Sequence, residues 1–239
     1  FEGYFKRIII AGDGGEALQL VRSHVPDIIV SDVMMPRMNG YKLCKTIKEN
    51  INISHIPVIL LTARDDRQSQ ISGYKNGADG YLSKPFEVEM LMELIRNRLK
   101  NREYTKKRYL NAGLIPTPEE STISLTDETF LIKLNSIIQE NIENSNLGIQ
   151  FICQEVGLGR SSLYNKLKAL TGMGANEYIS KLRIEKAITL ISGTDMPFSE
   201  IAEKTGFTTP SYFSTAFKQY TGETPSQYKE RKKKGLAGK

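Results

Sequence analysis

The most restrictive feature of this sequence is a motif that occurs in it twice. Residues 151–178 read FICQEVGLGRSSLYNKLKALTGMGANEY, and residues 200–228 read EIAEKTGFTTPSYFSTAFKQYTGETPSQY. Gly157 and Leu158 match Gly206 and Phe207. Lys168, Thr171, Gly172 and Tyr178 match Lys218, Thr221, Gly222 and Tyr228, with one extra residue in the second turn. Such self-similarity means that one supersecondary unit is built twice. Each copy predicts a short helix, a glycine turn and a second helix, which is helix-turn-helix geometry. Thr209 stands where an N-cap belongs and Pro210 at the first helical position, and Thr224 and Pro225 repeat that signature for a last helix. Residues 175–192 read as a continuous helix between the copies, about 27 Å long. Ahead of them, Phe130, Leu131, Leu134, Ile137, Ile138 and Ile142 form an apolar stripe suited to packing on the first copy.

Two helices held by such a rod can enter successive major-groove turns, about 34 Å apart, on one face of DNA. The first reading helix, 160–170, carries Arg160, Lys166 and Lys168 and no acid; the second, 210–220, carries Lys218 and no acid. Helix geometry turns Arg160, Ser161, Tyr164 and Asn165 toward the groove, and Ser211, Ser214 and Thr215 in the second copy. Lys168, Tyr212 and Lys218 are better placed for phosphates. Leu163, Leu167, Phe213 and Phe217 read as core, and any single Ser or Lys here also reads as solvated helix surface. Residues 127–229, most clearly IAEKTGFTTPSYFSTAFKQYTGETPSQY (201–228), resemble the AraC/XylS-type DNA-binding domain. The resemblance implies an all-α double helix-turn-helix fold with double-stranded DNA as partner.

The first half has another rhythm. Short β-rich runs, KRIIIA (6–11), DIIVS (27–31), IPVILL (56–61) and DGYLS (79–83), alternate with helical segments such as GEALQLVRSH (15–24). Near-continuous apolar strands separated by helices predict a parallel sheet covered on both faces. The binding crevice of such a sheet lies beyond the carboxyl ends of its strands. There Asp32 follows DIIVS, Thr62 follows IPVILL, and Lys84 follows DGYLS. A carboxylate, a hydroxyl and an ammonium in one crevice suit phosphoryl transfer to a carboxylate nucleophile. Each residue alone reads more blandly: Asp32 as a loop residue, Thr62 as a helix cap, Tyr81 as a strand aromatic. His24 and His55 stand without metal-spaced partners.

Residues 6–100 resemble a response-regulator receiver domain of flavodoxin-like α/β fold, on SDVMMPRMNG (31–40), PVILLTA (57–63) and GADGYLSKPF (77–86). The resemblance implies that Asp32 accepts the phosphoryl group, Thr62 and Tyr81 switch, and Lys84 contacts the phosphoryl oxygens before a Pro85 bond that is usually cis. It also implies Mg²⁺, held by acidic residues at the end of a strand that precedes the first helix. FEGYF (1–5) aligns with the end of that first helix, so the first strand and the acidic pair are expected to be missing from the chain as given. Asp32 and the Met34 backbone carbonyl remain as metal ligands, and Asp13 reads as part of a turn rather than a substitute. Such a chain is expected to hold Mg²⁺ poorly and to belong to a longer parent that starts upstream of Phe1.

The domain plan is then a receiver over 1–100 and a basic helix end with a Pro/Ser/Thr linker over 101–126. The DNA-binding domain over 127–229 and a basic, frayed tail over 230–239 follow. The net charge of +6 is a poor guide, since KERKKKGLAGK at the end contributes most of it. Cys44 and Cys153, the two cysteines, read as reduced core residues of a cytosolic bacterial protein. The receiver–linker–AraC order further resembles the tail of Bacteroidetes-type hybrid two-component regulators, in which a sensor and histidine kinase share the polypeptide. That parent would have kinase activity and a possible membrane anchor, whereas this segment has no kinase motif and no membrane contact. The kinase and a second copy of the chain, as a homodimer, are the expected protein partners. The alternative is a free-standing response regulator. An aspartate-nucleophile phosphatase is a remote rival, because Met34 stands where such enzymes need a second Asp. A receiver controlled by protein contact without phosphorylation is another.

Overall fold

The β-branched runs of the first half pair as a parallel sheet in the computed structural model, which describes residues 3–63, 77–112 and 124–237. The chain divides into two compact units, one built mainly on residues 1–108 and the other mainly on 131–168 and 172–239. In the first, β1 (Ile29–Asp32), β2 (Val58–Ala63) and β3 (Gly80–Lys84) form a sheet of order β1-β2-β3. Both ladders are parallel, with Asp32 opposite Leu61 and Thr62 opposite Ser83. Side chains alternate across the sheet with period two. Val58 and Leu60 therefore join Val21 of α1 (Gly14–His24) and Leu43, Cys44 and Ile47 of α2 (Gly40–Glu49) on one face. Ile59 and Leu82 meet Leu91 and Ile95 of α3 (Val88–Ala112) on the other.

Three expectations need correction here. Residues 6–11 form no strand: Ile8, Ile9 and Ile10 are exposed. An extended segment becomes a strand only where a neighbour satisfies its backbone groups in register, and this one is not part of the β1-β2-β3 sheet. Gly3 and Tyr4 make a turn and Phe5 an isolated β-bridge, rather than a helix end. The helix after β3 runs on to Ala112, in keeping with the expected basic helix end, but the next helix begins at Leu125, so the last residues of the expected 101–126 connection are helical too. Residues 113–123 lie outside the described part.

The second unit is helical. It contains α4 (Leu125–Glu140) from Leu131 on, α5 (Ile149–Val156), α6 (Arg160–Thr171) as far as Lys168, α7 (Ala175–Gly193), α8 (Phe198–Lys204), α9 (Pro210–Thr221) and α10 (Pro225–Ala237). The expected stripe from Phe130 to Ile142 is buried throughout. α4 is tied to α7 by the Tyr178 hydroxyl, which donates to Asn135 Oδ1 at 2.8 Å. The two motif turns adopt the left-handed backbone at Gly157 and Gly206, with φ of 73° and 71°. In the second motif Phe207, Phe213, Phe217 and Tyr228 stack edge to tilted face, with centroids 5.4–5.7 Å apart. The caps are as expected: Tyr212 N–H donates to Thr209 Oγ1 at 3.1 Å, and Gln227 N–H to Thr224 Oγ1 at 3.3 Å. The basic stretch from 230 is not frayed from its start, because α10 continues to Ala237. Arg231 makes a bidentate pair with Glu223 and lies 5.0 Å from the Tyr228 ring centroid. Both cysteines are buried and neither is in a disulfide, and among the described residues no helix is long and apolar enough to cross a membrane.

At the amino edge of the sheet, Lys48 is buried with its ammonium on Asp79 at 2.7 Å and on the Ile56 carbonyl at 2.9 Å. Asp79 also accepts from Val58 N–H at 2.7 Å. Lys48 thus joins the end of α2 to the starts of β2 and β3. Replacing it leaves a carboxylate and a carbonyl without their cation. Lys48→Met is expected to lower stability by about 3 kcal/mol in chemical denaturation followed by circular dichroism.

Candidate functional site

The parallel register brings Asp32, Thr62 and Lys84 to the carboxyl edge of three adjacent strands, as the sequence implied. Asp32 closes β1 and its chain then turns sharply: Val33 N–H donates to Leu61 O, and Gly40 N–H to Val33 O. Gly40 opens α2 against the Asp32 backbone so closely that a Cβ there would lie 2.3 Å from the Asp32 carbonyl oxygen. The next turn is fixed at Asp13, a buried carboxylate that caps α1 through Gly15 and Glu16 N–H and pairs with Arg37. Asp13 therefore has structural work, in keeping with its reading as a turn residue.

The Asp32 side chain pairs with the Lys84 ammonium and accepts from Met34 N–H at 3.1 Å. Burial by itself raises the Asp32 pKa. The Lys84 hydrogen bond, the Met34 amide, the Lys84 charge and the Val33 amide outweigh it and hold the carboxyl below its ordinary value. Asp32 is thus a partly exposed carboxylate, able to act as a nucleophile. The Thr62 hydroxyl is buried and has no hydrogen-bond partner among the described residues. Tyr81 is partly buried against the α1/α2 core, on the strand next to Thr62. The Lys84–Pro85 bond is cis.

For a divalent cation the fit is incomplete. Of the expected ligands, Asp32 is a partly exposed carboxylate and Met34 has only its backbone carbonyl to offer, and among the described residues no three His, Cys, Asp or Glu side chains cluster to hold a metal.

In the second unit the expected reading residues lie where the motif geometry puts them. Arg160, Ser161, Tyr164, Asn165 and Lys168 are exposed on α6; Ser211, Tyr212, Thr215 and Lys218 are exposed on α9, and Ser214 is half-buried. Lys166 is the exception: it is fully buried and belongs to the core face, so it adds no charge to the exposed face of α6. Leu163 and Leu167, on the same helix, and Phe213 and Phe217 are buried, as expected. Gln219 was missed by sequence reasoning. It is exposed on α9, four residues after Thr215 and eight after Ser211, so the same i, i+4 stripe would have found it. Asn176 was missed as well; it shares a shallow groove with Arg160 and Tyr164.

Comparison with known proteins follows the same division. A family model described as response regulator receiver domain matches residues 2–96, and one described as helix-turn-helix domain matches residues 152–231. "Histidine kinase P4" of Formosa agariphila is 42% identical over 224 residues, 94% of this chain, which spans only 16% of that protein's length. "Probable transcriptional regulator ycf29" of Pyropia yezoensis is 31% identical over 181 residues, covering 71% of this chain and 82% of that protein. Among solved structures, the C-terminal domain of AraT, a response regulator from Geobacillus stearothermophilus, is 31% identical with a TM-score of 0.40. It matches 43% of this chain and 84% of that one.

The Asp32–Lys84 pair has a titration signature. A carboxyl with a depressed folded pKa contributes stability above its unfolded pKa and loses it as pH falls through the folded value. Carbon-detected NMR titration is expected to place the Asp32 midpoint below the ordinary 3.8, and Lys84→Ala to move it upward.

Proposed function

We propose that this chain, which belongs to the response regulators and joins a receiver domain to an AraC-type helix-turn-helix domain, is the phosphorylation-controlled DNA-binding output of a hybrid two-component regulator. The observation that carries the reading is the convergence of Asp32, Thr62 and Lys84 at one sheet edge, in a chain whose α6 and α9 expose faces free of acid. A histidine kinase, in the same polypeptide, is the phosphoryl donor. The Asp32 carboxylate attacks phosphorus, the P–N bond of the donor phosphohistidine breaks, and the imidazole leaves with the bonding pair. An acyl phosphate remains on Asp32. Lys84 exchanges its carboxylate partner for a phosphoryl oxygen, and the Thr62 hydroxyl donates to another.

A buried hydroxyl without a partner is disfavoured by about 1–3 kcal/mol, so its capture by the phosphoryl group supplies a drive for Thr62 and Tyr81 to move inward. That movement remodels the surface beyond β2 and β3 and favours a homodimer, which raises the effective concentration of paired DNA-binding domains. Receivers of this family use Mg²⁺ for the transfer. Because the donors described do not complete a site, the chain as given is expected to take up phosphate weakly. On the DNA side, Arg160, Ser161, Tyr164 and Asn165, with Ser211, Ser214 and Thr215, read base edges, and Lys168, Tyr212 and Lys218 hold phosphates. The segment acts in the bacterial cytoplasm, with any membrane anchor elsewhere in the parent.

The hybrid reading is supported by the 42% identity to a stretch of a histidine kinase. A free-standing regulator is the second reading, supported by the relative of which this chain covers 82%. Sequence of the parent gene upstream of Phe1 decides between them.

Two experiments test the function. Full-length protein incubated with labelled acetyl phosphate and Mg²⁺ should take up label, and Asp32→Asn should take up none. No label on the wild type would favour control by contact, and steady turnover of a phosphomonoester would favour a phosphatase. In binding assays across a set of operator variants, Arg160→Ala should lose about 1–3 kcal/mol at particular base positions, whereas Lys218→Ala should weaken all sites alike. Uniform losses in both would overturn the assignment of reading positions.

A further inference from the structure

Away from the residues proposed to touch DNA, one side chain of the second unit joins three segments at once. Arg183 lies on α7, the helix between the two motifs. Its Nη2 donates to the Asn144 carbonyl at 2.7 Å, in the turn that leads from α4 into the first motif. Its guanidinium carbon lies 6.0 Å from the ring centroid of Phe207, in the turn of the second motif. Phe207 in turn packs edge-on against Tyr212 of α9 at 5.7 Å. Three residues along α7, Lys186 adds a weaker tie to Glu143 at 3.6 Å.

The backbone explains why the two turns come so close. Gly206 has φ of +71°, and a Cβ there would lie 2.2 Å from the Ile142 carbonyl oxygen and 2.8 Å from Arg183 Nη2. The second motif's turn therefore rests directly on the chain that enters the first motif, with the guanidinium wedged alongside. A helix between two motifs fixes their separation. The angle about its axis depends on what each motif touches beside it. A planar guanidinium can donate to a carbonyl through one edge while its flat face covers an aromatic ring, an arrangement that the compact ammonium of Lys reproduces less well.

We infer that Arg183 and Gly206 form a latch that sets the rotational phase between α6 and α9, making Arg183 a positioning residue for reading two half-sites at once. This rests on the DNA-binding reading above. Each base pair inserted between half-sites rotates one of them by about 34° relative to the other. A latched protein tolerates little of that rotation, and an unlatched one tolerates more.

The test uses the full chain and duplexes that the wild type selects from a random pool. These are rebuilt with one to three base pairs inserted between the half-sites, and as single half-sites. Arg183→Met is expected to lose about tenfold or more on the native spacing, to flatten the spacing profile, and to bind single half-sites within about twofold of wild type. Arg183→Lys, which retains the charge and the fold, should lie between the two and keeps the test decisive if Arg183→Met fails to fold. The latch is overturned if Arg183→Lys keeps the sharp wild-type spacing profile. It is equally overturned if single half-sites lose as much affinity as the paired site, which would mark Arg183 as a phosphate contact or a fold residue. A wild type that binds selected DNA without spacing preference overturns the latch alone. Failure to select any sequence overturns the DNA-binding reading with it.

Discussion

A parallel sheet packed on both faces leaves a protein few places to put polar chemistry, and the first unit is organised around that limit. The faces of β1, β2 and β3 are filled from α1 and α2 on one side and α3 on the other. Their carboxyl edge is where charged side chains can gather without being enclosed. Parallel pairing places those ends side by side, so residues far apart in sequence become neighbours. Asp32, Thr62 and Lys84 follow from that register. The amino edge has the opposite character: Lys48 and Asp79 are enclosed there and satisfied by each other and by backbone groups, which holds the edge together. The same two charge types are structural at one end of the sheet and chemically available at the other.

The second unit meets a different requirement. A helix that reads a groove must bury one face firmly enough to present the other without deformation. In α9 this comes from Phe213 and Phe217, continuous with Phe207 and Tyr228. In α6, Leu163 and Leu167 bury the equivalent face, and Lys166 is drawn in with them. A lysine at that position shows that the period of the helix, rather than the charge of the residue, decides which side chains reach solvent. Only Arg160 and Lys168 then supply positive charge on the exposed face of α6.

Much of this was legible in sequence because it depends on spacing. Strand ends, caps at Thr209 and Thr224, the alternating core of the sheet and the exposed stripes of α6 and α9 all follow from periods of 2 and 3.6. What could not be read depends on partners distant in sequence. KRIIIA has every local preference of a strand, yet a strand exists only where a neighbour accepts its hydrogen bonds. The 230–239 stretch has the composition of a tail, yet α10 persists because Glu223 and Tyr228 engage Arg231. The role of Arg183 was equally invisible, since Asn144 lies ahead of the repeat and Phe207, although aligned with Leu158, meets Arg183 only through the folded chain.

The two motifs are alike in backbone but unequal in chemistry. On α6 the exposed face offers a guanidinium, an ammonium, a phenol and an amide. On α9 it offers an ammonium, the Tyr212 phenol and the Gln219 amide but no guanidinium, and the hydroxyls of Ser214 and Thr215 donate back to Pro210 and Ser211 carbonyls at 2.9 and 3.1 Å. Those hydroxyls keep their lone pairs free and so favour donors on the partner, whereas Arg160 favours acceptors. An inequality of this kind makes orientation meaningful: a site read by two different helices has a direction, and reversing it mispairs both. Direction is retained only if the helices cannot turn independently. The chemical asymmetry of α6 and α9 and the rigidity of the path between them through α7 are therefore parts of one property, and neither would confer it alone.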